Sequence, residues 1–423
     1  MDQENYISER ILESQEIDDS EHTVMKGDTV GETLYSAKWI LNTLVSLTKI
    51  YEDGWNPFIE SDLCILWDIT SEKDIIEFLI ENDFLRMAEF TLKISEEPRL
   101  TEIIVGIIGN LCCEKKSLDK LVQREELVSI ILSLLSSDDK ETLIQVLRIL
   151  QAAIWDISKN PQSLWLKKIS DFENFGEATY FILKSSTSDE LLTPTINLIY
   201  LISEVELPEE SILLKNIFDI DKLIISICES MEELIGQNDS GHSEIQFKVI
   251  ENWLSIMFNI IKKNLLVLSD DETDMNIQKI NAVLVRVLRP YQHLNNLIPV
   301  EENCLSCIQE CIKMIFTFEQ NEVFLDFDIA HITIQLMVNF QIAVTENEFE
   351  ELDENVKHAY ENILNCWIEM LKTSSKEQVK EILKKFDIDT INNIIKATNS
   401  FLNISESCLV KLTSAKSEIF SIT

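Results

Sequence analysis

Residues 85–112 and 127–154 are two copies of one segment. A shift of 42 positions, without a gap, places Leu85 on Leu127 and keeps the apolar residues in register. An apolar helix, a short acidic turn and a second apolar helix therefore recur at a period typical of solenoid repeats with two or three helices. Because a solenoid buries its core between neighbouring repeats, a long surface stays free for partners. The repeat favours binding over catalysis.

The amino-acid composition favours helices over strands. Only eight glycines and seven prolines occur in 423 residues, although strand-rich folds need many tight turns built from these residues. The apolar fraction of 45% is enough for a continuous core. The predicted fold class is all-α, an armadillo/HEAT-like right-handed α-solenoid.

The chain divides into two predicted regions. Residues 1–32 are acidic and lack apolar periodicity, so we expect a disordered acidic N-terminal tail. Residues 33–423 are expected to form one armadillo-like helical repeat domain. Its clearest repeats cover 72–113, 117–155 and 172–205.

Beyond residue 205 the period is irregular, but apolar spacing still predicts helices. They are expected over 211–235, 244–264, 274–289, 301–318, 327–344, 352–372, 375–386 and 388–401. Earlier in the chain, Asp62 is expected to begin a helix as its N-cap. Ser71 and Asp74 are expected to form a capping box. Acidic runs at 206–210, 270–272 and 346–351 are expected in loops.

Charge limits the possible partners. The formal net charge is −38, from 74 acidic and 36 basic residues. Nucleic acid is excluded as a direct ligand because a phosphate backbone requires a basic surface, and an anionic membrane is disfavoured for the same reason. A basic protein partner is favoured. The alternative interpretation is a solvated acidic surface with no special partner.

Location is constrained by the chain start and by the cysteines. The first residues lack a basic, apolar leader, and no run approaches the roughly 18 apolar residues of a membrane span. Nine cysteines, an odd number within apolar stretches, indicate a reduced intracellular protein. We therefore expect a chain that is not secreted and does not enter membranes.

Motifs for catalysis or cofactor binding are not recognisable in the sequence. The five histidines are far apart, and the glycines form no phosphate-binding loop. Cys304, Cys307 and Cys311 share one helical face and could bind a soft metal if His293 or His331 supplied a fourth ligand. The same spacing is that of a core stripe, and the apolar surroundings favour core. We predict no catalytic residue, no cofactor and no metal site.

Two resemblances to known families follow from longer segments. Residues 106–113, Gly-Ile-Ile-Gly-Asn-Leu-Cys-Cys, resemble the last helix of an armadillo repeat. Segments 31–39, 63–69 and 98–110, in that order, resemble the serum-amyloid-A-like protein family, also called synoviocyte proliferation-associated protein. That resemblance implies an armadillo-like, non-catalytic, largely nuclear protein that promotes cell proliferation. A cytoplasmic location is the alternative. The family has no agreed catalytic residues, so none is transferred.

Two residues are candidates for binding a partner. In nuclear-import adaptors of the armadillo class, a tryptophan lies four residues before the asparagine of the last helix. Here Asn110 is present, but Gly106 occupies the tryptophan position, so recognition of localisation signals in that manner is disfavoured. Gly106 and Gly109 are expected to allow close helix packing. Trp55, in a loop beside Gly54, is the candidate exposed anchor, and Asn110 is the second candidate.

The predicted function is a non-catalytic scaffold or regulator that binds a protein, expected to be basic. One alternative is a carrier or import-type escort for a highly basic client. The second alternative is an enzyme whose site is assembled from distant residues, which would require a deep polar pocket with perturbed carboxylates.

Overall fold

The computed structural model describes residues 28–208, 212–236, 240–266, 275–298, 300–320, 326–345, 354–400 and 405–420. These residues form an all-α, armadillo-like structure, which confirms the predicted fold class. The chain forms two compact units, residues 1–175 and 176–423. The acidic runs at 270–272 and 346–351 lie outside the described residues.

The first unit contains nine α-helices in its described part, with a short 3-10 turn over Leu134–Ser136. They are α1 (Ala37–Asp53), α2 (Pro57–Ile69), α3 (Lys73–Glu81), α4 (Phe84–Ile94), α5 (Pro98–Leu111), α6 (Lys115–Val122), α7 (Glu125–Ser133), α8 (Lys140–Lys159) and α9 (Leu164–Ser170). The segment 72–113 contains α3 to α5, and 117–155 contains most of α6, all of α7 and most of α8. Each segment is therefore a three-helix repeat.

The second unit is also helical, and its first helix, α10, begins at Phe175, the last residue of the first unit. Its helices are α10 (Phe175–Ser185), α11 (Asp189–Glu204), α12 (Leu213–Ile217), α13 (Ile220–Ile235), α14 (Glu244–Lys262), α15 (Met275–Leu288), α16 (Leu294–Leu297), α17 (Glu302–Gln320), α18 (Phe327–Thr345), α19 (Glu354–Thr373), α20 (Lys376–Leu383), α21 (Ile388–Asn399) and α22 (Glu406–Phe420). A 3-10 turn, Arg289–Gln292, joins α15 to α16.

Each unit is built from neighbouring helix layers. In the first unit α2, α5 and α8 pack side by side, while α1, α4 and α7 form a second row. In the second unit α11, α14, α17 and α19 form one row, and α13, α15 and α18 form the other. The core includes three tryptophans that are almost fully buried: Trp165, Trp253 and Trp367. Within each unit, successive helices of a row therefore contact one another.

Residues 28–36 form a hook in front of α1. The Val30 amide donates to the Tyr35 carbonyl over 3.0 Å, and the Val30 side chain is buried. The structure is thus described from residue 28, inside the predicted tail that ran to residue 32. Residues 1–27 lie outside the described residues, so the disordered tail stays a prediction.

Two predicted helix starts are wrong. Asp62 lies inside α2, whose N-cap is Asn56; the Asn56 side chain accepts hydrogen bonds from the amides of Phe58 and Ile59 at 3.1 and 3.2 Å. The predicted capping box at Ser71 is not formed, because the N-cap of α3 is Glu72 and makes no side-chain capping bond. Asp74 instead accepts a hydrogen bond from the Glu32 amide of the hook, over 2.8 Å.

Three later predictions also need correction. The helix expected over 211–235 is two helices, α12 and α13, because Asp219 begins α13 as an N-cap that accepts a bond from the Lys222 amide. The loop expected between Pro290 and Pro299 contains a 3-10 turn and α16. Helix α22 was not predicted, although its buried Leu412 and Ala415 follow helical spacing.

Candidate partner-binding surfaces

The first unit presents the row α2, α5 and α8, where Gly106 of α5 faces Trp67 of α2. A Cβ placed on Gly106 would lie 2.2 Å from Cζ2 of the Trp67 ring, closer than any real Cβ contact. Gly109 differs, because the nearest atom to its Cβ position is Ile149 Cγ1 at 3.8 Å. Close packing is therefore confirmed at Gly106 and not at Gly109.

Asn110 joins three helices of this row. Its side-chain amide donates to the Trp67 carbonyl over 3.2 Å and to Thr70 Oγ1 over 2.8 Å, both at the end of α2. Its Oδ1 accepts a hydrogen bond from Arg148 Nη2 of α8 over 2.7 Å. The Asn110 side chain is thus hydrogen-bonded within the protein. These bonds hold the neighbouring helices α2, α5 and α8 in register.

An ionic cluster lies at the other end of the same row. Arg99 pairs with Glu60 over 3.1 Å and with Glu102, whose side chain is largely buried, over 2.7 Å. Arg99 also contacts Cys64 Sγ at 3.3 Å. Burial raises the pKa of the Cys64 thiol despite the nearby guanidinium, so this cysteine remains a protonated thiol near neutral pH.

The tryptophan prediction changes with the structure. Trp55 is half-buried, whereas Trp155 of α8 is 54% exposed and is the most exposed of the seven tryptophans. The Lys159 ammonium lies 5.9 Å from the centroid of the Trp155 ring. Sequence reasoning missed Trp155, which lies amid apolar helical residues and carries no loop signal.

The second unit contains a groove between α14 and α17 with a volume of about 380 Å³. Its lining combines apolar, acidic and small polar side chains. They are Glu244, Phe247, Lys248, Ile250, Glu251, Leu254, Ser255, Phe258, Asn303, Ser306, Cys307 and Glu310.

A second groove of about 520 Å³ lies between α17 and α19 and shares Glu310 with the first. Its lining residues are Gln309, Glu310, Ile312, Lys313, Phe316, His358, Asn362, Asn365 and Glu369. Because they meet at Glu310, the two are named together the α14–α17–α19 groove.

The charged groups of this groove are arranged in pairs. Glu251 pairs with Lys248 over 2.8 Å, and Glu310 pairs with Lys313 over 3.0 Å. Four carboxylates and two ammonium groups line the groove, so its lining is acidic on balance. The Lys313 ammonium also lies 4.8 Å from the centroid of the Phe258 ring.

The chain is similar in sequence and in structure to known proteins. No family model matches the chain. The chain is 31% identical over 185 residues to protein saal1 of Danio rerio, which covers 41% of this chain and 39% of that protein. It is 28% identical over 183 residues to human protein SAAL1, covering 40% of this chain and 38% of that protein. Over this matched segment the chain is similar to SAAL1.

The matched segment spans about two fifths of the length of these relatives. Among solved structures, SYS-1 is similar with a TM-score of 0.46 and 12% identity, over 89% of this chain and 62% of that chain. The resemblance to the serum-amyloid-A-like family, first seen in segments 31–39, 63–69 and 98–110, is confirmed.

The three clustered cysteines of the chain are buried in α17, as the core interpretation predicted. Cys304, Cys307 and Cys311 are at most 8% exposed. Burial raises the pKa of Cys304 to about 12. His331 stacks on Phe386 with ring centroids 4.7 Å apart. Within the described ranges, no three histidine, cysteine or acidic side chains are placed to hold a metal ion.

One carboxyl group has a strongly perturbed pKa. Burial raises the pKa of Glu319 to about 7. Its Oε2 accepts a hydrogen bond from Thr373 Oγ1 over 2.7 Å, so it links α17 to α19. Glu319 is not among the residues that line the α14–α17–α19 groove.

A membrane-crossing helix, judged by length and apolar character, is not found in the described part of the chain.

Proposed function

We propose that this chain is a non-catalytic scaffold that binds an extended basic segment of another protein in the α14–α17–α19 groove. The observation that carries the proposal is that aromatic side chains and carboxylates line the same groove. Phe247, Phe258 and Phe316 supply apolar contact, while the carboxylates supply attraction for cations.

Side-chain amides in the groove suit an extended main chain. Asn362 and Asn365 of α19 line the groove, and each amide can both donate to and accept from a peptide backbone. The net charge of −38 attracts a basic partner at long range. At physiological salt the Debye length is about 8 Å, so only carboxylates that meet the partner directly contribute strongly.

A binding titration with paired variants tests the proposal. A fluorescein-labelled peptide that alternates arginine with serine is titrated with the chain, with a citrulline version as the uncharged control. Glu251→Lys, in the groove, should weaken binding at least tenfold. Glu381→Lys should not, because Glu381 makes the same kind of pair, with Lys384 over 2.5 Å, but lies outside the groove.

Salt supplies the second measurement. Affinity for the arginine peptide should fall markedly between about 50 and 300 mM salt, because screening removes the long-range attraction. A salt-independent affinity, equal effects of the two reversals, or equal binding of the citrulline peptide would contradict the proposal.

The carrier function is the second candidate, and the net charge of −38 favours it. A carrier would retain an intact basic client in a stoichiometric, salt-sensitive complex. Affinity purification at low and high salt, followed by mass spectrometry, distinguishes a stable client from transient scaffold partners.

The family resemblance supports a proposed nuclear role in promoting cell proliferation. The location of a tagged chain and the growth rate of depleted cells test it. Trp55 and Asn110 remain proposed partner anchors. Trp55→Ala should reduce capture of the purified partner, with Trp155→Ala as the comparison on a more exposed ring.

A further inference from the structure

Lys313 occupies a particular position in the α14–α17–α19 groove. It extends from α17 so that its ammonium lies 4.8 Å from the centroid of Phe258 on α14 and 3.0 Å from the Glu310 carboxylate. An aromatic face beside a carboxylate is a favourable site for a cation, because ring quadrupole and negative charge attract the same group. In this structure the protein's own lysine fills it.

Lys248 provides a natural comparison in the same groove. It pairs with Glu251 over 2.8 Å, also at a spacing of three residues, and its side chain is 63% exposed against 62% for Lys313. Among the residues that the structure describes, Lys313 has this ring contact and Lys248 has none. The two lysines therefore carry equal charge and exposure and differ in the aromatic contact.

We infer that the Phe258–Glu310 site is an arginine-binding subsite and that Lys313 is its internal occupant, displaced when a partner binds. This inference rests on the proposed function, since it assigns one position within the proposed groove. An incoming guanidinium stacks on the Phe258 ring and donates two parallel hydrogen bonds to the Glu310 carboxylate. Arginine is preferred over lysine because its planar group stacks flat on the ring while two of its N–H groups reach both carboxylate oxygens, whereas an ammonium acts as a point charge.

The occupant lowers affinity for the partner. Before an arginine enters, the Lys313 ammonium must leave the ring, and its positive charge then lies beside the incoming cation. Because an exposed cation–aromatic contact corresponds to about a two- to fivefold change in an equilibrium constant, clearing the site should tighten binding by about that factor. The lysine thus lowers the affinity of the groove for basic segments by about that factor.

The experiment compares Lys313→Ala with Lys248→Ala, using the arginine–serine peptide and a lysine–serine peptide. Both variants remove one positive charge from the groove, so both should bind the arginine peptide more tightly than wild type. Lys313→Ala should gain about two- to fivefold beyond Lys248→Ala, and the extra gain should be larger for arginine than for lysine. In a Phe258→Leu background that extra gain should disappear. Circular dichroism of each variant checks that the fold is intact.

The outcomes separate the two ideas. Equal gains from the two alanine variants, while Glu251→Lys still weakens binding, overturn the subsite and leave the groove standing. An extra gain that persists with Phe258→Leu also overturns it. Failure of wild type and every variant to bind either peptide overturns the proposed function together with the subsite.

Discussion

The indole ring of Trp67 on α2 packs directly against Gly106 on α5 and occupies the space that a Cβ at position 106 would need. Gly106→Ala should therefore destabilise the protein by about 1–3 kcal/mol through overpacking. Gly109→Ala is the matched control, since its Cβ would make only ordinary van der Waals contact, with Ile149 Cγ1 at 3.8 Å, and should stabilise α5 by about 0.5–1 kcal/mol. Urea denaturation of both variants measures the difference, and the same sign for both would contradict the packing account.

Asn110 should prove important for stability. Asn110→Ala removes three hydrogen bonds and leaves the Arg148 guanidinium without this acceptor, so a loss of about 1–3 kcal/mol is expected. Asn110→Asp keeps the acceptor for Arg148 but places a carboxylate against the Trp67 carbonyl, and it should also destabilise. Unchanged melting curves with lost partner capture would instead assign Asn110 to binding.

The raised pKa of Glu319 predicts a pH dependence of stability. The pKa of Glu319 in the folded state, about 7, exceeds the usual value of 4.5. Between about pH 4.5 and pH 7 the folded state therefore holds a proton on Glu319 that the unfolded state has released. Protonated Glu319 contributes about 3 kcal/mol to the free energy of unfolding. This contribution is fully present below about pH 4.5 and is lost as the pH rises to about 7. Denaturation from pH 5 to 8 should show this fall in wild type.

Glu319→Gln should lack that fall and be more stable than wild type at pH 8, because a neutral amide still accepts the bond from Thr373. Glu361→Gln, an exposed residue of α19, controls for the loss of one negative charge. Parallel pH profiles for wild type and Glu319→Gln would refute the assignment.

The internal repeat predicts equivalent effects at Val105 and Leu147. Both side chains lie in the core, with exposures of 0% and 1%. Val105→Asp and Leu147→Asp should each cost several kcal/mol, because an unpaired charge is buried. Ser158→Asp, on the exposed side of α8, should fold normally. Soluble, cooperatively folded protein from either core variant would contradict the repeat alignment.

Cysteine reactivity should follow burial. At pH 8 a maleimide should modify the exposed Cys113 well before Cys304 and Cys311. Burial raises the pKa of Cys304, and a hydrogen bond with the Cys307 thiol, followed by burial, raises the pKa of Cys311. Mass spectrometry after timed labelling gives the order. Near-stoichiometric zinc in the purified chain, or rapid labelling of Cys304, would overturn the core interpretation.

Much of the fold could be predicted from local sequence patterns. Apolar spacing predicted most helices because each helix is stabilised by bonds within one segment and by one apolar face. The missed break at Asp219 has a physical reason: aspartate at an N-cap and aspartate on a solvated helix face look alike in a continuous apolar pattern. At Asp74 the local pattern was misleading, because the hook carrying Glu32 engages the carboxylate from outside the helix.

The candidate partner-binding residues were harder to predict from sequence. Trp55 looked exposed because loop residues surround it, yet it is half-buried, while Trp155 emerges from a helix. Neither the Trp67–Gly106 contact nor the Lys313–Phe258 contact leaves a signal in sequence, since the partners lie on helices separated by other elements.

By itself the sequence determined helix type, repeat period, buried cysteines and acidic character, all of which follow from composition and from spacing along one chain segment. Tertiary structure alone decided which side chains meet between helices. That choice depends on how the side chains of one helix fit between those of the next, and this fit is set by packing across segments distant in sequence. The groove and its internal lysine belong to this second class.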